Sequence, residues 1–109
     1  MIVSPARLRI TRKMWTGRGE PLEYQVVLDG TVIGAVRNGA TTEFEIGSGH
    51  HEMQLKIRWG GGSRVIPFSV SDDQTTAFEC EPFMLGAESN GKLFDRHRPT
   101  IELRQVLAK

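Results

Sequence analysis

Two adjacent histidines, His50 and His51, are the first residues in this chain that could carry chemistry, because imidazoles bind metal ions. They open a run in which polar and apolar residues alternate strictly, a pattern that indicates a β-strand. Neighbouring side chains on a strand point to opposite faces, so these two imidazoles cannot share one metal ion without a bulge. We expect His51 to begin the core face, bonded to a nearby backbone group, and His50 to be solvated.

The single cysteine, Cys80, could act as a nucleophile only if a basic group lowered its pKa. It lies in phase with Phe78 on a predicted strand, and the adjacent Glu79 and Glu81 disfavour a thiolate. We therefore expect a buried, unreactive thiol. One cysteine cannot form an internal disulfide, which is compatible with a reducing compartment, and we expect a cytoplasmic location.

No other group of residues predicts catalysis. His97 lies between two arginines without recognisable triad spacing, and the glycines of 60–62 lack the lysine and helix of a phosphate-binding loop. No acid, base and nucleophile can be placed on one predicted surface. We expect neither enzyme activity nor a cofactor, and no metal site.

The best candidate contact site surrounds Trp15, which lies in a glycine-rich loop next to Arg12, Lys13 and Arg18. A stacking ring among cations is typical of proteins that bind anions or single-stranded nucleic acid. Alternatively, Trp15 folds back as a lid over one end of the fold. We also expect the first strand to be a sheet edge, open to a partner strand.

Composition and charge set wider bounds. The 109 residues fit a single domain, 1–109, and the net charge of +1 gives no overall attraction to nucleic acid. Basic residues concentrate at both ends and acidic residues in the middle, a distribution that pairing across neighbouring strands would explain. No run approaches the roughly 20 apolar residues of a membrane span, and residues 1–7 do not resemble a leader.

Alternation with a period of two residues recurs along the chain and predicts eight strands. Asp29-Gly30 predicts a type I′ hairpin turn, Asn38-Gly39 a second turn, and Pro67 an edge or bulge position. Trp59 ends the apolar face of the fifth strand and is predicted to be buried. The predicted strands are 7–13, 22–28, 31–37, 42–46, 50–59, 64–70, 75–80 and 101–105, the last of which could instead form a helical turn.

Many short strands spaced roughly ten residues apart favour an all-β fold, a two-sheet antiparallel β-sandwich of seven or eight strands. An immunoglobulin-like or prealbumin-like arrangement fits best. Within the irregular segment 81–99, Asn90-Gly91 predicts a small hairpin between Met84-Leu85 and Leu93-Phe94. The segment from residue 83 to the end has no assigned role.

Residues 24–59 resemble PEGA-type and related bacterial β-sandwich modules. The similarity rests on an extended strand ending in Asp29-Gly30, on Gly34 shortly afterwards, and on Gly49 and His51, which open the next alternating strand. The resemblance implies a non-enzymatic accessory module. We therefore expect a non-catalytic interaction module that acts through an edge strand or end loop, with another protein or a second copy as its partner. The alternative is a domain that binds a small anionic ligand or nucleic acid through the basic first strand and Trp15.

Overall fold

The computed structural model describes residues 4–15, 23–58, 60–82 and 100–108. These ranges contain eight strands and no helix. None of the described residues forms a helix that could span a membrane. The strands are β1 (Ala6–Arg12), β2 (Glu23–Leu28), β3 (Thr31–Arg37), β4 (Thr41–Ile46), β5 (Gly49–Lys56), β6 (Ile66–Val70), β7 (Thr75–Pro82) and β8 (Ile101–Val106).

The strands form two four-stranded sheets packed as a sandwich, which confirms the predicted fold class. The first sheet has the order β4-β1-β7-β8 and the second has the order β3-β2-β5-β6. The chain changes sheets after β1, β3, β4 and β6, so the two sheets share one core. The segment 101–106 is a strand, which decides between the two predictions for it.

The position of β1 corrects the prediction that the first strand is an edge. β1 pairs with β4 on one side and with β7 on the other, so it lies inside its sheet. Its pairing with β7 is parallel, whereas the other pairings between the described strands are antiparallel. A parallel pair requires a long crossover, and here the crossover includes the whole second sheet. Local sequence patterns do not encode such a long-range pairing.

Alternation along the strands places the predicted residues in the core. Leu8 and Ile10 of β1 belong to the buried core, and Ile10 lies beside Phe78 of the neighbouring strand β7. Met53 and Leu55 on β5 are fully buried, as the alternating pattern predicts. Trp59 lies outside the described residues, as do Arg18, His97 and the segment 83–99. The buried core comprises Ala6, Leu8, Ile10, Tyr24, Val26, Val36, Met53, Leu55, Phe68, Val70, Phe78, Cys80 and Ile101.

The hairpin between β2 and β3 has the turn predicted from Asp29-Gly30. Both residues have positive φ, 52° at Asp29 and 82° at Gly30, as a type I′ turn requires. Beyond the turn, Val27 pairs with Val32 and Val26 pairs with Gly34, so Ile33 is an extra residue in β3. This β-bulge increases the local twist of the strand.

The glycines that follow β5 lie in a hydrogen-bonded turn, in which the Gly60 N–H donates to the Ile57 carbonyl and the Gly61 carbonyl accepts from the Ile57 N–H. The Gly62 backbone packs against the Leu55 carbonyl, and the next residue, Ser63, returns a hydrogen bond of 2.8 Å from its N–H to that carbonyl. The Gly62 carbonyl accepts hydrogen bonds from the N–H groups of Thr100 and Ile101. This turn therefore joins the end of β5 to the start of β8.

Opposite charges pair across the outer face of the first sheet, which explains the separation of charges along the sequence. Arg9 Nε lies 2.6 Å from Glu43 Oε2 on the neighbouring strand. Towards the opposite edge of this sheet, on β7 and β8, Arg104 lies 2.9 Å from Glu81 and 3.3 Å from Glu79. These exposed or half-exposed pairs each contribute little to stability, and they use much of the basic charge of β1.

We predict that Gly62→Ala destabilises the protein by about 1–3 kcal/mol, because the new Cβ would collide with the Leu55 carbonyl oxygen, a backbone atom. Gly47→Ala is the matched control, because a Cβ there has open space and the backbone needs no positive φ. Urea unfolding of both variants measures the difference. Equal stabilities would show that the Gly62 turn is not packed as described.

Candidate functional site

The described part of the predicted contact site, residues 12–15, is only partly exposed. Arg12 is 1% exposed and points into the sandwich, where its guanidinium carbon lies 3.6 Å from the centre of the Tyr24 ring. Its Nη1 donates a hydrogen bond of 3.3 Å to the Val36 carbonyl. Arg12 continues the inward phase of Leu8 and Ile10, which is why it is buried. It is therefore not a surface cation, contrary to the contact-site hypothesis.

Lys13 and Trp15 remain on the surface side of this loop. Lys13 is exposed and Trp15 is half-buried, while Arg18 lies outside the described residues. The Trp15 backbone is fixed by Asn38, whose side-chain amide donates to the Trp15 carbonyl at 2.8 Å and accepts from its N–H at 2.9 Å. The loop after β1 is thus bound to the turn between β3 and β4. Of the three predicted residues that the structure describes, Arg12 is buried, Trp15 is half-buried and Lys13 is exposed.

We predict that Arg12→Ala lowers the free energy of unfolding by about 2 kcal/mol or more, through loss of the desolvated contact with Tyr24 and of aliphatic packing. Lys13→Ala is the neighbouring control and should change it by less than about 0.5 kcal/mol, because Lys13 is exposed. Denaturant unfolding compares the two. A stable Arg12→Ala protein would place that side chain outside the core.

The strongest polar cluster joins Asp29 and His51, which are 22 positions apart in the chain. His51 Nδ1 lies 2.7 Å from Asp29 Oδ2, and His51 Nε2 lies 2.7 Å from the Gly47 carbonyl oxygen. The other oxygen of Asp29 accepts a hydrogen bond of 2.8 Å from the Glu52 N–H. The predicted backbone bond of His51 is confirmed. The carboxylate partner was not predicted, because the Asp29-Gly30 pattern identifies Asp29 only as a turn residue.

The hydrogen bonds of this cluster shift the pKa values of both His51 and Asp29. The hydrogen bond to Asp29, then the bond to the Gly47 carbonyl, raise the pKa of His51 above its ordinary value near 6.5. The same contact with His51, together with the Glu52 N–H, lowers the pKa of Asp29. Each group therefore favours the charged form of the other.

His50 points to the opposite face from His51, as predicted, and borders an open cleft of about 440 Å³. The cleft lies between the start of β5 and the end of β6. His50 Nδ1 is 3.3 Å from the Ser69 hydroxyl, and Asp72 also lines the cleft. No group of three histidine, cysteine, aspartate or glutamate residues in the described ranges is arranged to hold a metal ion.

The four sheet edges differ in how open they are to a partner strand. Edge strands are commonly protected by charge or by proline. β4 carries exposed Glu43 and Glu45, β8 carries Glu102 and Arg104, and β6 carries Pro67 at the predicted edge position. From Thr31 to Val36, β3 has neither a charge nor a proline. The bulge at Ile33 interrupts this stretch, and the exposed Arg37 follows it at the end of β3.

The β3 edge also presents apolar side chains to solvent. Val32 is 53% exposed and Ile33 is 36% exposed. Val65, which precedes β6 at the far side of the same sheet, is similarly exposed at 49%. The β3 edge therefore combines exposed apolar side chains with a backbone edge that pairs with no further strand among the described residues, whereas Val65 adjoins a strand that contains Pro67.

Cys80 is fully buried in the core, as predicted from its phase with Phe78. Burial raises the pKa of its thiol to about 12, although the positive charge of Arg12 opposes the shift. At neutral pH the side chain is therefore a protonated, inaccessible thiol. It lacks the thiolate form that nucleophilic chemistry requires.

We predict that Cys80 in native protein reacts slowly with a disulfide-exchange reagent at pH 8, because burial prevents both access and ionisation. Labelling should become fast in denaturant. Rapid stoichiometric labelling of the native protein would contradict the buried position.

No known protein family, curated protein or solved structure matches the chain. The resemblance to PEGA-type modules therefore stays a prediction.

Proposed function

We propose that this chain is a non-catalytic interaction module that receives an extended segment of another protein at the β3 edge. The observation that carries the proposal is the uncharged edge from Thr31 to Val36, with Val32 and Ile33 exposed. An added strand would gain affinity from backbone hydrogen bonds and specificity from these side chains. The bulge at Ile33 limits regular pairing to the short segments on either side of it.

Catalysis has little support among the described residues. Cys80 is buried, and both ring nitrogens of His51 are hydrogen-bonded within the fold. His50 contacts the Ser69 hydroxyl at the long distance of 3.3 Å, and both residues are exposed. These groups do not form a nucleophile activated by a base that is itself oriented by a third group.

A domain that binds an anionic ligand or nucleic acid remains the second candidate, supported by exposed Lys13 next to half-buried Trp15. The basic first strand supports it less than its sequence indicates. Arg9 pairs with Glu43, and Arg12 is inside the sandwich. Binding to phosphate groups would weaken steeply with salt, whereas strand addition would depend on it much less.

The test compares Val32→Lys with Val65→Lys, two substitutions of valines with similar exposure, one on β3 and the other just before β6. Proteins retained from the host by the wild-type chain are purified, and their affinities for both variants are measured by calorimetry. We predict that Val32→Lys weakens binding at least tenfold, because it places a charge at the docking edge. Val65→Lys should bind like wild type, and both variants should unfold near the wild-type midpoint.

Equal affinity of the two lysine variants for every retained protein would contradict docking at β3. Binding that disappears with added salt and with Lys13→Ala, but survives Val32→Lys, would favour the anionic-ligand candidate.

A further inference from the structure

His51 bridges two loops of the fold, and both groups that its ring nitrogens contact are hydrogen-bond acceptors. Its Nδ1 faces the Asp29 carboxylate in the β2–β3 turn, and its Nε2 faces the Gly47 carbonyl between β4 and β5. We propose that protonated His51 holds the β4–β5 connection against the β2–β3 turn through two hydrogen bonds, and that loss of its proton releases the β4–β5 connection. We call this arrangement the latch. This proposal does not depend on the function proposed for the β3 edge.

The latch requires a doubly protonated ring. A neutral imidazole carries one N–H and one lone pair, so it can donate to only one of two acceptors. Both distances are 2.7 Å, short enough for two full hydrogen bonds. The geometry therefore corresponds to an imidazolium that donates to Asp29 and to Gly47 at the same time.

Among the described residues, Asp29 is the charged group in contact with His51. On β5 itself, His50 and Glu52 project from the opposite face of the sheet. On β6, the ring of Phe68 packs against His51 with 5.6 Å between ring centres, flanked by the uncharged Pro67 and Ser69. The β4–β5 connection contributes the Gly47 carbonyl, and the nearest acid before it, Glu45, is exposed on the outer face of the first sheet. His51 itself is mostly buried, with 13% of its side chain exposed.

Loss of the proton should break the contact of His51 with the Gly47 carbonyl and leave its contact with Asp29 intact. The remaining N–H stays with the carboxylate, because hydrogen bonds to a charged acceptor are stronger than those to a carbonyl. The lone pair of Nε2 then faces the Gly47 carbonyl oxygen, an unfavourable arrangement of two acceptors. The connection that includes Ser48 should loosen, and Ser48 and Gly49 form one wall of the cleft beside His50. The latch thus makes the shape of that cleft depend on pH.

The direction of the pH dependence follows from the raised pKa of His51 and the lowered pKa of Asp29. Because the pKa of His51 is raised in the folded protein, its contribution is complete below about pH 6.5 and is lost as pH rises through the folded value. Because the pKa of Asp29 is lowered, its contribution is complete above its ordinary value of 3.8 and is lost as pH falls through the folded value. The latch is therefore fully closed between these two ordinary values.

The test combines imidazole nitrogen NMR with residue-resolved amide exchange from about pH 5 to pH 9 on the intact chain. At pH 6, both ring nitrogens of His51 should show the shifts of N–H groups, and the ring should titrate with a midpoint above 6.5. Exchange of the Ser48 and Gly49 amides, corrected for intrinsic rates, should accelerate at least threefold as the ring loses its proton.

Two variants separate the latch from general effects of pH. His51→Gln should remove the pH dependence of exchange at residues 48 and 49, whereas the matched change His50→Gln should retain it. If His51→Gln does not fold, the wild-type titration and exchange profile decide alone. A neutral His51 at pH 6, a midpoint at or below 6.5, or exchange that stays constant through the titration would overturn the proposal.

Discussion

The pairing of β1 on both sides is the interaction on which the rest of the sandwich depends. In the sequence, β4 follows β1 by about thirty positions, and β7 follows β1 by about seventy. Both strands nevertheless form ladders with β1. This central strand directs Leu8, Ile10 and Arg12 inward, towards the second sheet. Removal of either ladder would expose the backbone of the strand that organises the core. The parallel ladder with β7 also requires a long crossover, and the strands of the second sheet lie within it.

The central position of β1 determines which surfaces are left for interaction. Because β1 is enclosed, its backbone is unavailable to a partner, and its arginines are committed to Glu43 or to the interior. Among the described strands, the edge that carries neither a charge nor a proline over most of its length is β3, where the hairpin turn leads into the uncharged stretch from Thr31 to Val36. The same turn carries Asp29, so the His51 contact and the proposed docking edge share one structural support. Protonation of His51 and docking of a partner strand at β3 would both affect this hairpin.

Local features of the fold could be predicted from the sequence, because alternation and turn residues act over a few positions. Asp29-Gly30, the core face of β5 and the edge position of Pro67 are examples. The strand order could not be predicted, because ladder hydrogen bonds join backbone groups that all residues share. Arg12 was misplaced for a different reason. Its phase with Leu8 and Ile10 indicated burial, but its charge suggested solvent, and the Tyr24 ring that accommodates it lies on another strand.

The candidate site was only partly predictable, for the same physical reason. The spacing between His50 and His51 correctly separated them onto two faces, whereas nothing in the local pattern joins His51 to Asp29. Packing of β5 against β2 brings these two groups together. Arg12, Lys13 and Trp15 are close in sequence, but the alternation of β1 and the contact with Asn38 orient them differently. Proximity along a chain is therefore a weaker guide to a site than the register between strands.

The central claim is that β1 lies between β4 and β7, and NMR cross-strand proton contacts test it most directly. We predict contacts from Ile10 to Thr42 in an antiparallel pattern and from Ile10 to Phe78 in a parallel pattern. The amides of β1 should also be among the slowest to exchange. Contacts on only one side of β1, with amides that exchange as fast as those of an open edge, would contradict the account.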